Sequence, residues 1–464
     1  MLAVASKLRP SLDPEFLPAS LWNRAYRALV AKDAGARPFA VVLQRPDGSV
    51  FRHESRVLSA GHPSVALTLT YAERLLKFLL WMKGGNQVLV AGADEIATAL
   101  ARIYSPQGER AFDHEFMGAK VFGQPFSLMA VKFDELPQER ETTLPMGRHL
   151  KGCRIGFDLG GSDRKAAALI DGEVVFSEEI PWDPYFQKDP AYHIEGVNDS
   201  IARAAKHLPR VDAIGGSSAG VYVNNEVRVA SLFRGVPADQ FEQHIRRMFF
   251  TLQERWGGVP FEVVNDGEVT ALAGSMSIGD NAVLGVAMGT SQAVGYVTPE
   301  GNITSWLNEL AFAPLDYRPN APRDEWSGDG GCGAQYFSQQ GVGRLAARAG
   351  FSFGSMPLPE QLIEVQKAMK AGEARARGIY DSIGVCFGYA IAHYADFYDV
   401  RNLLILGRVT SGEGGEIIIS RAKEVLREEF PALAEKVRLL TPDEKSKRHG
   451  QATAAASLPA PRVG

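Results

Sequence analysis

Apolar and polar residues change period several times along the chain, and each change marks a predicted element. Residues 39–43 and 50–57 are strand-like and flank a Pro46-Asp47-Gly48 turn, which predicts a β-hairpin. The run 71–82, YAERLLKFLLWM, is apolar, helix-forming and stopped by Gly84-Gly85. A strand at 88–90, a helix over 95–104 and strand-like character over 118–132 complete an α+β unit. The polar stretch 134–148, DELPQERETTLPMGR, reads as a linker.

The remainder is organised around 153–180. Ile155, Phe157 and Leu159 alternate as a buried strand, with Gly160, Gly161 and Ser162 directly behind Asp158. Two glycines let the backbone turn tightly and approach an anion. A second run at 166–170, an Asp171-Gly172 turn and a third at 174–176 continue the hairpin. A helix over 192–207 leads to a strand at 211–214 and a small-residue loop from Gly215 to Gly220. Ligands of α/β proteins sit at such strand ends, which makes Ser218 and Gly220 candidates.

A helix is expected over 239–255, and a strand at 261–264 delivers Asn265 and Asp266 to the helix that follows. The strand at 283–287 ends in Met288-Gly289-Thr290-Ser291 and returns over 293–297, repeating the first hairpin's theme. Two such hairpins on facing lobes can hold a polyphosphate with N–H groups and hydroxyls, here those of Thr290 and Ser291. Asp266 admits two readings that can coexist: a general base for an attacking alcohol, or an N-cap. Asn265 beside it suits a sugar hydroxyl. Further on, a helix over 379–397 carries core aromatics, and a strand at 403–406 runs into Gly407-Arg408-Val409-Thr410-Ser411-Gly412. That turn can lie flat against a nucleoside, and 417–429 forms the next helix. Residues 450–458, GQATAAASL, make a small-residue helix suited to close packing, followed by a Pro-rich tail.

Composition narrows the classes. At 464 residues two or three domains are the expectation, and 45% apolar with 22% charged residues is ordinary for a globular enzyme. A net charge of −4 gives no footprint for nucleic acid, and no apolar run has the length of a membrane span. The first residues lack a signal-peptide pattern. Cys153, Cys332 and Cys386 lie far apart, which supports neither a disulfide scaffold nor a protein-only zinc cluster and fits a reducing cytoplasm best.

These pieces, in this order, resemble the ROK family of the sugar kinase/actin/Hsp70 superfamily, over roughly 153–458. Asp158-Leu159-Gly160-Gly161-Ser162 is similar to its first phosphate motif, Met288 to Ser291 to its second, and Leu406-Gly407 through Gly415 to its adenosine motif. Asn265-Asp266 resembles the family's Asn-Asp pair, whose Asp is the base and whose Asn contacts the sugar. Asn308 to Phe312 is similar to the segment bearing a sugar-binding Glu, here Glu309. Phe312 stands where the family has a zinc-binding His, and only Cys332 matches its zinc cysteines, so no zinc site is expected. Gln339 or Gln340 lies where a Glu usually follows, and Arg408 replaces a usual glycine.

The resemblance implies an α/β, two-lobed actin-like (ribonuclease H-like) fold at 151–464, preceded at 1–150 by an accessory α+β domain and linker. It implies ATP and Mg²⁺, with Asp158 holding the metal through water and a sugar or sugar-like polyol as acceptor. Two rivals stand beside the kinase: a non-catalytic sugar or nucleotide sensor, and an ATPase that activates a partner enzyme. The N-terminal unit has no helix-turn-helix signature; homodimer formation and shaping of the cleft mouth stand open for it.

Overall fold

The computed structural model describes residues 2, 4–141, 146–441 and 444–461, with backbone alone at 444–449. Part of the linker (142–145) and the end of the Pro-rich tail (462–464) lie outside the described residues. The N-terminal sheet has the order β2-β1-β3-β4. Its strands are β1 (Arg37–Gln44), β2 (Val50–Val57), β3 (Gln87–Ala91) and β4 (Ser127–Ala130). The helix Ala66–Lys83 starts before the expected run and stops at Gly84, whose φ of 78° ends helical geometry. Of the strand-like stretch 118–132 only β4 is strand; Phe116–Phe122 is a widened helical turn. Gly118 lets the chain double back there, since a Cβ would meet the Phe126 amide at 3.0 Å.

The first lobe is a five-stranded sheet, β11-β8-β5-β6-β7. β5 (Cys153–Leu159), β6 (Asp163–Ile170) and β7 (Glu173–Pro181) form an antiparallel meander. β8 (Ala213–Ser218) and β11 (Phe261–Asn265) lie parallel to β5. A small hairpin, β9 (Val221–Val223) and β10 (Glu226–Val229), follows β8. The second lobe is the sheet β13-β12-β14-β15, from β12 (Val283–Met288), β13 (Gln292–Val297), β14 (Asn402–Leu406) and β15 (Arg438–Leu440).

Two expectations are corrected here. Gly215 to Ser218 is not loop but strand, and its glycines serve packing. A Cβ on Gly215 would lie 1.7 Å from the Ala455 carbonyl, and one on Gly216 2.2 Å from the Phe157 ring. The expected helix over 239–255 is broken, with Met248–Arg255 preceded by a π-turn at Phe241–Ile245. The Arg246 carbonyl instead accepts the Val227 N–H of β10 at 3.0 Å.

Glycine contacts also seat the helices Asp266–Ile278 and Glu444–Ala456 between the sheets. Gly295 on β13 would clash with the Gly267 carbonyl at 2.1 Å if it carried a Cβ, and Gly156 on β5 with Ala452 at 1.8 Å. The N-terminal unit is docked on this body: Phe16, Leu21, Phe78 and Met82 share one buried cluster with Val286, Phe337 and Phe387. Asp13 is buried and takes Arg318, Arg344 and Arg348 at 2.7, 2.6 and 2.6 Å.

Candidate functional site

The parallel strands β5, β8 and β11 end together. Register pairs Asp158 with Ser217, and Ser218 with both Leu159 and Asn265. This brings Asp158, Ser218, Asn265 and Asp266 to one sheet edge. Asn265, not Asp266, caps the helix: its Oδ1 accepts the Gly267 N–H at 2.7 Å while its Nδ2 donates to the Gly220 carbonyl at 2.7 Å. Gly220 has φ 132° and a Cβ there would strike the Val229 carbonyl at 2.5 Å, so the turn needs glycine. The Ser218 hydroxyl is buried and accepts the Tyr222 O–H at 2.6 Å.

With the cap supplied by its neighbour, Asp266 stands in the first helical turn. Burial, then the charge of Asp158, push its carboxyl up to about 6, while the N–H groups of Asp266 and Gly267 pull it back. Glu309 is raised to about 7 by burial and by Asp266. Glu268 reaches about 8 through burial, although the Asn308 amide and the Tyr296 N–H both donate to it. Asp158, only 7% exposed, is raised by burial and held back by Ser217 and by the Lys165 ammonium at 3.9 Å. Four carboxyl groups thus form one coupled series along the cleft.

Of the four, Glu268 lines a cavity of about 480 Å³, together with Asn265, Gly220, Thr304 and Trp306 among others, and with Arg45 from the turn that follows β1. Glu268 lies two positions beyond Asp266 and was within reach of the sequence; Arg45 carried no signal, because nothing there joins β1 to this cleft.

The phosphate hairpins are strapped turns. Gly160 N–H donates to the Asp163 carbonyl at 2.9 Å, Trp182 Nε1–H to the Gly160 carbonyl at 2.7 Å, and the Ser162 hydroxyl to Asp163 at 2.8 Å. The Tyr185 hydroxyl occupies the space a Cβ on Gly161 would need. In the second lobe Gly289 N–H donates to the Ser291 carbonyl at 2.9 Å, leaving Thr290 and Ser291 exposed. Gly407, at φ 105°, lies against the Met288 carbonyl, so the second hairpin and the Gly407-Arg408 turn meet at one edge. Arg408 is exposed and its carbonyl accepts from Gln366 at 2.9 Å. A further cavity of about 420 Å³ lies beside Gly412, lined by Ile363, Met369 and Tyr380 among others.

The loop bearing Phe312 and Cys332 is held by ring packing and ion pairs. Phe312 packs on Trp81 and Phe112, with ring centroids 4.3 and 5.7 Å apart. Asp329 takes Arg110 at 2.5 Å, Arg74 at 3.2 Å and Lys77 at 3.4 Å, and Cys332 Sγ lies 3.7 Å from the same carboxylate. Among the described residues no group of His, Cys, Asp or Glu is gathered to hold a metal ion. Nor is any helix among them long and apolar enough to cross a membrane.

No protein-family model matches the chain, and no curated protein matches it. Among solved structures, the ROK hexokinase of Thermus thermophilus is similar at 19% identity and TM-score 0.53, over 66% of this chain and 96% of that one. A ROK family transcriptional regulator, homolog of the E. coli MLC protein, is similar at 17% identity and TM-score 0.52, over 67% and 78%. The likeness is one of fold, shared by a sugar kinase and by a regulator.

Proposed function

From a chain that carries the ROK fold, we infer an ATP- and Mg²⁺-dependent kinase that transfers the γ-phosphate to a hydroxyl of a sugar or sugar-like polyol. The observation that carries this reading is Asp266: a carboxyl freed from capping by Asn265, at the mouth of a helix, raised to about 6 beside a cavity. A base in that range is ionised at neutral pH yet basic enough to take an alcohol proton. Asn265 fixes the turn at Gly220, and Glu309, whose charge interacts with that of Asp266, would supply a second hydroxyl partner.

The turns at Gly160 to Ser162 and Gly289 to Ser291 offer N–H groups and hydroxyls to the phosphates, and the cavity beside Gly412 suits the nucleoside. The Tyr380 hydroxyl, buried without a hydrogen-bond partner among the described residues, borders that cavity. Asp158, at the edge shared with Asp266, would hold Mg²⁺ through water, since that ion prefers oxygen ligands. When bound, the ion offsets charge on the transferring phosphoryl group. Closure of the lobes would exclude water and favour the alcohol as acceptor.

A second reading, a sugar sensor that signals through the N-terminal unit, is favoured by one observation. The Asn308 and Glu309 N–H groups donate to the Met82 and Trp81 carbonyls, wiring the cleft to that unit. The test is a panel of sugars, polyols and their acids incubated with Mg-ATP, read as acceptor-dependent ADP release and phosphorylated product by mass spectrometry. Ligand-induced stabilisation without any transfer would favour the sensor.

A further inference from the structure

The cavity that Glu268 lines begins at Asn265 and Gly220, next to the strand end that delivers Asp266, and reaches the turn after β1, where Arg45 and Asp47 close it. Asp266 and Glu309 themselves are not among its lining residues. The proposed base and the cavity are thus side by side and share Asn265 as a border. At ~30 Å³ for each water in the liquid, a volume of about 480 Å³ has room for roughly 16 of them, more than one hexose ring displaces. A sugar of one ring with its hydroxyl at Asp266 leaves this space unfilled.

The walls are fixed. Arg45 Nη1 donates to the carbonyl and hydroxyl of Ser305 at 2.8 and 3.0 Å, which ties the turn after β1 to the 304–307 loop. Asn225 ties the β9-β10 hairpin to β11: its Nδ2 donates to the Phe261 carbonyl and its Oδ1 accepts the Val263 N–H, both at 2.7 Å. The lining is polar, with charges of both signs. Asp47 opposes the Arg45 charge, and burial raises Glu262 and Glu268 towards their neutral forms. A neutral carboxyl both donates and accepts, as do the hydroxyls of Thr304 and Ser305. An apolar ligand would strand these groups, and an ion of either sign would face a like charge. A neutral ligand rich in hydroxyls matches them, since each hydroxyl also donates and accepts.

We propose that this cavity is a subsite for a second sugar ring, so that the acceptor is a neutral glycoside of two rings or more. Its reacting ring lies at Asp266, and its second ring is held between the β9-β10 hairpin and the N-terminal unit. That unit then selects the acceptor by length. The claim rests on the kinase reading only in placing the reacting ring at Asp266; the subsite itself is a binding claim. The competing account is a crevice left where the N-terminal unit docks, filled with solvent.

The experiment is thermal stabilisation of the full chain without nucleotide, titrated with glucose, galactose, maltose, cellobiose, lactose and trehalose, and with glucosamine and glucuronate as charged sugars. Wild type is compared with Asn224→Gly and Val223→Trp. Asn224 is exposed at the hairpin tip, lines the cavity and has φ 51°, which glycine also adopts. Val223 lines the same wall, where a tryptophan would fill the space. The expected result is that one of the two-ring sugars binds wild type ~10-fold or more tightly than its own single ring. Asn224→Gly should weaken that sugar ~3–10-fold, and Val223→Trp should bring the two-ring to one-ring ratio close to unity. If no two-ring sugar outdoes its single ring, or if Val223→Trp keeps the ratio, the cavity is a solvent-filled crevice and the subsite is overturned. A charged sugar that binds best would overturn its neutral character. Should Val223→Trp not fold, the wild-type panel and Asn224→Gly still decide. Two-ring binding without phosphoryl transfer would sink the kinase reading and leave the subsite; transfer to single rings with no two-ring advantage would do the reverse.

Discussion

The Glu309 N–H donates to the Trp81 carbonyl at 2.9 Å, so the last turn of the N-terminal helix holds the loop that faces Asp266. Helix ends leave carbonyls without partners, and this loop supplies donors for them. Asn308 completes the joint: its N–H goes to Met82 at 3.0 Å, its amide to Glu268, and its Oδ1 accepts the Tyr398 O–H at 2.7 Å. It does so at φ 50°, where Asn is tolerated. Asn308→Ala should cost ~2–4 kcal/mol, from stranded buried partners and left-handed strain, measured by urea unfolding. A change within ~0.5 kcal/mol would show the joint to be incidental.

The C-terminal helix makes a sharper prediction. Gly156 and Gly215 admit its backbone so closely that a methyl group would overlap the carbonyls of Ala452 and Ala455. Backbone cannot yield as a side-chain tip can, so Gly215→Ala should cost more than ~4 kcal/mol or release the helix to proteolysis. An unchanged melting temperature would refute that packing.

Those two glycines also show why the sequence was legible in part. The small-residue run 450–458 announced close packing, but its partner was hidden. Gly215 and Gly216 looked like a loop because Gly is rare in strands; only the tertiary contact with Ala455 and Phe157 explains them. Strands with clean alternation, such as Ile155 to Leu159, were readable from periodicity, and the three glycine turns from the glycines and hydroxyl residues that follow apolar runs. Asp266 was visible as a carboxylate at a strand end, whereas which neighbour caps the helix depended on side-chain direction. Arg45 was out of reach, since its role depends on docking between distant segments.

Lys77 is wholly buried and bonded to both oxygens of Asp113 at 2.9 Å. Removing one partner strands the other, so Lys77→Met should cost ~3–5 kcal/mol. Because Phe312, Asp329 and these cations hold the loop, dialysis against a chelator should leave the melting temperature unchanged. Zinc retained at about one per chain would contradict that.

Stability should also carry a pH signature. Unfolded carboxyl groups titrate near ~4, and Asp266, Glu309 and Glu268 are raised to about 6, 7 and 8. The folded state therefore keeps protons that the unfolded state has lost, and stability falls as pH rises from ~4 to ~8. Asp13 acts oppositely: despite burial, Arg318, Arg344 and Arg348 hold it down at about 2, so its contribution is lost as pH falls below ~4. Urea midpoints should peak on the acid side of neutral, and Glu268→Gln should flatten the alkaline fall. The three raised groups are coupled, so the fall will be broad.

Asp266 and Asn265 are adjacent, yet their substitutions should separate cleanly. In Asn265→Ala the helix loses its cap and the Gly220 tether, a stability cost of ~0.5–2 kcal/mol. In Asp266→Asn the cap is untouched and a raised carboxyl is removed, so stability near pH 8 should hold or rise. Its effect should fall on rate: an amide cannot take the acceptor proton, which typically costs ~10²–10⁴-fold. Nucleotide affinity should stay unchanged, because the phosphate turns lie elsewhere. With the wild type, transfer should climb with pH as Asp266 ionises near 6, and that limb should vanish in the variant. An Asp266→Asn protein that transfers phosphate at the wild-type rate, with the same pH limb, would remove Asp266 from the chemistry and with it the proposed mechanism.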